Sequence, residues 1–201
     1  MNMRVSRAQA EENRQNVIDV AGRLFREHGF DGIGLKDLME GAGMTQGAFY
    51  KQFESKEDLA AQASRRALES ASQRWSTAIA ENPDDPLGAV IAFYLSAGHR
   101  EEKLEGCPVV ALGSDAARQG AGVKAAFEEG IKAYLEVLGP LLRETDGEDT
   151  NGRAMVVLST MVGAMTLSRA VNDPAFAQAF LNAAVEHVCE AVADRKDGPV
   201  F

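Results

Sequence analysis

The stretch Leu35–Lys56 reads LKDLMEGAGMTQGAFYKQFESK and predicts two short helices separated by a glycine-containing turn. Apolar residues at helical spacing predict one buried face for a helix over residues 35–41. Thr45 stands where its hydroxyl can accept a free backbone N–H at the start of a second helix, over about residues 46–53. A helix, a turn and a second helix in this order are typical of the helix-turn-helix that reads DNA.

The second of these helices has an outward face whose side chains are suited to DNA. Helical periodicity turns Ala48, Phe49 and Phe53 inward. The outward positions are Gln46, Gly47, Tyr50, Lys51 and Gln52. Glutamine can donate and accept at a base edge, whereas threonine, tyrosine and lysine are good phosphate partners. Gly47 removes a side chain where the backbone would approach the duplex. We therefore expect DNA-binding positions at Thr45, Gln46, Gly47, Tyr50 and Lys51.

The helix that follows begins with a capping box, Ser55-Lys56-Glu57-Asp58. Lys56 lies in its first turn, where the helix dipole disfavours a cation. A bound phosphate would account for a lysine at this position, so Lys56 is a further DNA-binding candidate.

Ahead of the helix-turn-helix, apolar spacing predicts a helix from about Glu11 to His28, which Gly29 terminates. Residues 1–9 are polar and show no periodicity, so we expect a mobile arm there. Arg4 and Arg7 of this arm either touch DNA or belong to an ordinary frayed terminus; both interpretations stay open.

The run GAGMTQGAFYKQFESKEDL (Gly41–Leu59), with LFREHGFDGIGLKDL before it, resembles the DNA-binding domain of the TetR/AcrR family of bacterial repressors. The resemblance covers about residues 12–60, and the positions in register are Ala42, Gly43, Thr45, Gly47, Tyr50, Phe53, Lys56 and Leu59. It implies a homodimer whose two reading helices enter successive major grooves of a palindromic double-stranded DNA operator. It also implies a C-terminal domain that binds a small-molecule effector and dimerises.

Gly34 departs from the family pattern, which usually has Thr or Ser at this position to cap the helix and to contact a phosphate. Glycine can cap but offers no hydroxyl, so we expect Lys36 to make that phosphate contact alone. The outward residues Gln46, Lys51 and Gln52 lie at positions that vary with the operator in the family, and they do not predict which sequence is bound.

The net charge of −9 belongs to the second part of the chain. Residues 1–56 hold 8 Lys/Arg and 8 Asp/Glu, a net of zero, whereas residues 57–201 hold 13 and 22, a net of −9. DNA responds to the charge of the local face and not to the total. The composition therefore permits DNA binding by the first part without requiring it.

The chain is predicted to be all-α, because no β-rich run or repeat interrupts its helical periodicity. We predict a three-helix DNA-binding domain with its arm over residues 1–55 and a larger helical domain for effector binding and dimerisation over residues 56–201. The last two helices, predicted over 153–171 and 175–193, are so apolar that they must be covered on almost every side. A four-helix interface in a homodimer would cover them; burial within one chain is the alternative.

Aromatic, methionine and small apolar residues at helical spacing are candidates for an effector cavity in the second domain. They are Phe93, Tyr94, Ala97, Cys107, Val110, Phe127, Ile131, Tyr134, Met161 and Met165. A plain hydrophobic core produces the same pattern. The family resemblance favours a pocket in this domain but does not select these residues.

Cys107 follows Gly106 at a predicted helix start, where the helix dipole favours a reactive thiolate. "GC" at this point resembles a subgroup of TetR-like regulators, some relatives of which sense electrophiles or oxidants through a cysteine. A thiol-based sensor is therefore an alternative to a ligand-responsive regulator. A small buried packing residue is the other interpretation of Cys107.

No pattern in the sequence predicts an enzyme. The three histidines are scattered, and neither a phosphate-binding Gly-rich loop nor a G-x-S-x-G elbow occurs. The two cysteines, Cys107 and Cys189, form no zinc pattern. We expect no metal or organic cofactor.

The absence of a long apolar run and of an apolar N-terminal segment predicts a cytoplasmic protein without a membrane partner. The remaining alternative is a helical interaction module with a degenerate helix-turn-helix, or an enzyme of a kind that no motif identifies.

Overall fold

The computed structural model describes residues 6–142 and 150–193, with side chains in the second range to residue 190. Within these ranges the protein consists of α-helices without a strand, which confirms the all-α prediction. The helices are α1 Arg7–His28, α2 Leu35–Gly41, α3 Gln46–Phe49, α4 Lys56–Glu81, α5 Pro86–Tyr94, α6 Ala97–Glu101, α7 Pro108–Ala116, α8 Ala121–Leu141, α9 Asn151–Ala170 and α10 Pro174–Ala193. None of the described helices combines the length and the apolarity that crossing a bilayer requires.

The chain forms two compact units, each made of two segments. The first unit contains Met1–Glu69 and Cys107–Glu129, and the second contains Ser70–Gly106 and Gly130–Phe201. Helix α4 therefore contributes residues to both units. The predicted division at residue 55 is a functional one, between DNA binding and effector binding, and it stays a prediction.

Helix α1 begins earlier than the sequence predicts. The Ser6 hydroxyl accepts a hydrogen bond from the Gln9 N–H at 3.1 Å, and this cap starts the helix at Arg7. The expected arm is therefore wrong for residues 7–9, since Arg7 is an exposed residue of the first helical turn. Arg4 lies outside the described residues.

The core of the first unit is built on the apolar face of α1. Phe25 of this helix packs against Phe30, with ring centroids 5.2 Å apart, and Phe30 meets the edge of Phe127 from α8 at 6.4 Å. Buried side chains from the other helices of the unit complete it: Ile18, Leu38, Met39, Phe49, Phe53 and Leu59. Phe127, a predicted effector contact, thus belongs to the core behind the helix-turn-helix.

A stacked aromatic group lies in the core of the second unit. The indole of Trp75 stacks on Tyr134 at 4.6 Å, and Tyr94 meets the indole edge at 5.5 Å. All three side chains are buried. Each ring removes a large apolar area from water, so this group is a main source of stability for the unit.

Helix α6, Ala97–Glu101, is not among the predicted helices. Helix α5 ends at Tyr94, and the Ser96 hydroxyl caps a new helix by accepting the His99 N–H at 3.0 Å. Arg169 of α9 then donates to carbonyl groups at the end of α6, including that of His99 at 2.6 Å. A distant arginine thereby stabilises a helix too short to be stable alone.

The side chain of His99, whose carbonyl accepts from Arg169, is buried. Its Nδ1 lies 2.6 Å from the Tyr94 carbonyl oxygen, which can only accept, so Nδ1 donates the hydrogen bond. Burial lowers the pKa of His99 below its ordinary value, and the nearby charges of Arg169 and Arg74 lower it further. The histidine is therefore a neutral packing residue at physiological pH.

Helices α9 and α10 bury one face within the chain and expose another. The inner face of α9 contains buried Ala154, Val157, Leu158, Met161 and Met165. Large apolar side chains nevertheless remain on the outside, with Val156 59% and Phe176 53% exposed, accompanied by Met155 and Leu167. A Cβ added at Gly163 of α9 would meet nothing within 4 Å. The outer surface of the pair is thus open and apolar.

Candidate nucleic-acid interface

The helix-turn-helix depends on a left-handed residue in its turn. Gly43 has a φ of 70°, which glycine adopts without the steric cost that a Cβ would impose. Its neighbour Met44 donates its N–H to the Met39 carbonyl at 2.8 Å and so closes the end of α2. The chain then enters α3 through the extended backbone of Thr45.

Helix α3 is a single turn, shorter than the predicted span to about residue 53. After Phe49 the backbone tightens, because the Gln52 N–H bonds the Phe49 carbonyl at 2.8 Å, three residues back. Phe53 still turns inward, and its ring stacks on Phe49 at 5.4 Å. Gln52, expected on the outside, is half-buried with an inaccessible Oε1.

The predicted outward face of α3 is accessible to solvent. Gln46, Gly47, Tyr50 and Lys51 are all exposed. Tyr50 is 69% exposed although its ring packs edge-on against Phe49 at 5.3 Å, so the phenol is held outward by a buried neighbour. A Cβ added at Gly47 would meet nothing within 4 Å. Space within the protein therefore does not explain the glycine.

The two predicted caps turn out differently. Thr45 is the residue before α3, but its hydroxyl makes no capping hydrogen bond, so that prediction is wrong. The Ser55 hydroxyl does cap α4, because it accepts the Asp58 N–H at 3.0 Å. Asp58 in turn accepts the Glu54 N–H at 3.1 Å, one residue before the position that a standard capping box uses. The exposed Thr45 hydroxyl is left for another partner.

The candidate cations differ in their surroundings. Lys51 and Lys36 are exposed, and the Lys36 ammonium lies 3.7 Å from the Glu40 carboxylate. Lys56 is half-buried in the first turn of α4. Gly34 precedes α2 without a side-chain cap, as its lack of a hydroxyl predicts.

The predicted effector residues are divided between the two compact units. Cys107, Val110 and Phe127 belong to the first unit, and Cys107 is the residue that precedes α7. The second unit contains the others: Phe93, Tyr94, Ala97, Ile131, Tyr134, Met161 and Met165. The structure brings Tyr94 and Tyr134 together on either side of Trp75, a residue that the sequence analysis did not select. Among the described residues no group of histidine, cysteine and carboxylate side chains is arranged to hold a metal ion.

Comparison with known proteins agrees with this geometry. Residues 17–63 match the family described as "Bacterial regulatory proteins, tetR family". The HTH-type transcriptional regulator LmrA of Bacillus subtilis is 27% identical over 158 residues, which cover 77% of this chain and 82% of LmrA. The HTH-type transcriptional regulator AcrR of Shigella flexneri is 41% identical over 56 residues, 28% of this chain and 26% of AcrR. These matches support a regulator of the TetR/AcrR family.

Solved structures of this family have the same fold. A TetR transcriptional regulator from Chloroflexus aurantiacus superposes with a TM-score of 0.78 at 23% identity, over 92% of this chain and 96% of its own. The reduced form of Escherichia coli NemR superposes with a TM-score of 0.74 at 20% identity, over 88% and 95%. The matched helix-turn-helix and the names of the curated relatives support a DNA-binding transcriptional regulator, and the solved structures support the fold.

The unequal caps give a stability prediction. Replacing Ser55 with Ala should lower the free energy of unfolding by about 1 kcal/mol, because the Asp58 N–H loses its partner. The matched variant Thr45→Ala should change it by less than about 0.5 kcal/mol, because no capping bond is lost. Urea unfolding followed by circular dichroism measures both. Equal losses in the two variants would show that the Thr45 hydroxyl caps α3 in solution.

Proposed function

We propose that this protein is a cytoplasmic, ligand-responsive repressor of the TetR/AcrR family, which binds a palindromic operator as a homodimer and leaves it when a small molecule binds. The observation that carries the proposal is the outward face of α3. Its polar and cationic side chains are accessible, while its aromatic residues anchor it to the core. A face of this kind fits the major groove, where base edges carry the sequence.

The contacts that we propose follow from the side-chain chemistry. Gln46 and Tyr50 meet bases or the adjacent sugar-phosphate, and the backbone at Gly47 comes close to the duplex. The exposed Thr45 hydroxyl, free of a capping bond, supports a phosphate contact there. The proposed phosphate contacts are Thr45, Lys36, Lys51, Lys56 and, at the N-terminus, Arg4 and Arg7.

The lysines supply the first test. Lys51→Ala and Lys56→Ala should each weaken binding to every duplex and lower the slope of log affinity against log salt by about one, because each removes one phosphate contact. Fluorescence anisotropy with the DNA upstream of the protein's own gene, titrated at several salt concentrations, measures this. Lys103→Ala, an exposed lysine outside the helix-turn-helix, is the matched control. An unchanged slope in both lysine variants would remove them from the interface.

We propose further that the homodimer forms through α9 and α10. The open apolar surface of the pair supports this, since such a patch is typical of a protein interface. The lack of neighbours at Gly163 and the small Ser159 nearby would let a partner helix approach closely.

A charge placed on this surface should separate the subunits. In Leu167→Glu the new carboxylate would lose water on dimerisation at a cost of several kcal/mol, about enough to split a moderate interface. Sedimentation velocity should then report the mass of one chain, whereas Ser76→Glu, at an exposed position of α4, should keep the mass of two. A dimeric Leu167→Glu protein would place the interface elsewhere.

The ligand response is proposed to act through α4. This helix contributes residues to both compact units and begins directly after the turn that follows α3. Half-sites lie about one turn of DNA apart, so a change of a few ångström in the separation of two reading helices weakens specific binding. An effector that prefers the altered separation would therefore release the operator.

A second candidate input is the thiol of Cys107. Its position before α7 supports this alternative, as does the likeness to NemR, whose solved structure is of a reduced form. A peroxide would oxidise the thiolate to sulfenic acid and would itself be reduced to water. The residue is only 3% exposed, so oxidation requires the surrounding structure to open.

Mild oxidation separates the two inputs. A ligand-responsive protein should keep its operator affinity after treatment with hydrogen peroxide, because its signal needs no thiol chemistry. A thiol sensor should lose affinity as mass spectrometry records oxygen on Cys107, and Cys107→Ser should keep affinity under the same treatment. The exposed Cys189 provides the control for non-specific oxidation, through Cys189→Ser.

A further inference from the structure

Helix α3 cannot fix its own orientation. It has four residues, and an isolated helix of that length does not form in water. The buried rings of Phe49 and Phe53 attach it to the core along one side. Apolar packing is non-directional, however, and allows a short helix to rotate or slide. Directional contacts at its two ends are needed to hold the outward side chains at one angle.

The first end is held by Asn16 of α1. Its side-chain Nδ2 donates a hydrogen bond to the backbone carbonyl oxygen of Ala42 at 3.0 Å. Ala42 is the residue that ends α2 and opens the turn into α3. The bond thereby fixes the turn to α1, which is 22 residues long and anchored in the core.

The second end is held by Arg14, which lies two residues before Asn16 on α1. Its guanidinium lies over the Phe53 ring, 5.3 Å from the centroid, and donates to the Gln62 amide oxygen. Gln62 donates onward to the Asp58 carboxylate at 2.7 Å, and that carboxylate accepts the Glu54 N–H at 3.1 Å. A continuous series of contacts therefore joins α1 to the chain that leaves α3.

We propose that Arg14 and Asn16 are positioning residues for operator discrimination: from α1 they hold the two ends of α3 and so set the angle of its base-reading side chains, without contacting DNA themselves. The inference rests on the proposed placement of α3 in the major groove. Loosening either end should reduce specific binding, which needs an exact angle, more than non-specific binding, which depends on phosphate charge.

The variants are chosen to spare the fold. Asn16→Ala removes the hydrogen bond and places the best helix former in α1. Arg14→Met keeps an apolar stem over Phe53 but removes the donor, and Arg14→Lys restores a cation and a donor. Gln15→Ala is the matched control, because this residue lies between the two and bonds Glu11 within α1. Thermal unfolding checks that each variant is folded.

Two DNA probes make the test specific. The first is the duplex that wild-type protein enriches from a random pool, and the second is a scrambled duplex of the same length. Asn16→Ala and Arg14→Met should lose about tenfold in affinity for the enriched duplex, the scale of one misplaced base contact, with at most about a twofold change on the scrambled one. Their salt slopes should stay at the wild-type value, and Arg14→Lys should recover part of the loss.

Each other outcome overturns the inference. Equal losses on both duplexes with a salt slope lower by about one would make Arg14 a phosphate contact. Unchanged discrimination in Asn16→Ala and Arg14→Met, while Lys51→Ala and Lys56→Ala weaken binding, would leave the proposed function standing without these positioning roles. A random pool from which wild-type protein enriches no sequence would refute the proposed sequence-specific function and, with it, the inference. If Arg14→Met is unfolded, Asn16→Ala alone decides.

Discussion

The attachment of α3 to the core behind it is the constraint on which the reading surface depends. One helical turn must bury Phe49 on its inner side and present Gln46 and Tyr50 on its outer side. The turn supplies little stability of its own, so its geometry comes from tertiary packing. Phe49 stacks on Phe53, and both lie in the core that α1 builds around Phe25. The outward surface of α3 therefore depends on the residues that attach this helix to the core.

Local signals explain which parts of the fold the sequence predicted. Helix α2 was placed correctly at Leu35–Gly41, because its boundaries are set by adjacent glycines and by its own periodicity. The end of α3 and the existence of α6 were not predicted. Helix α6 needs the guanidinium of Arg169, some seventy residues further along the chain, on its terminal carbonyl groups. No window of sequence around Ser96 contains that information.

In the candidate site, too, local periodicity predicted some features, whereas contacts between distant residues were not predicted. The exposure of Gln46, Gly47, Tyr50 and Lys51 agrees with a helical period of 3.6, whereas that of Gln52, beyond the end of α3, does not. Arg14 and Gln62 lie 48 residues apart, so their contact is invisible to periodicity. The candidate effector residues were selected by their apolar spacing, and this spacing does not reveal a cavity. Apolar spacing predicts burial but cannot distinguish a core from a cavity, and Phe127 packs on Phe30 in the core of the first unit. The distribution of charge permits DNA binding by the first part of the chain without requiring it, because the acidic excess lies beyond residue 56.

The proposed anchoring of α3 by Asn16 and Arg14 would limit how an effector can act on the helix-turn-helix. If Asn16 and Arg14 lock both ends of α3 to α1, then changing the angle of α3 alone would break several directional contacts at once. An effector can shift an equilibrium only by its differential affinity for the two states, which is typically a few kcal/mol. Moving the helix-turn-helix together with α1 would break none of these contacts. In the proposed homodimer, a rigid displacement of the two helix-turn-helix units would be sufficient to lose the operator, because two half-sites have a fixed separation on DNA. An anchored α3 therefore favours an effector that changes the distance between the two helix-turn-helix units over one that changes the orientation of α3 itself.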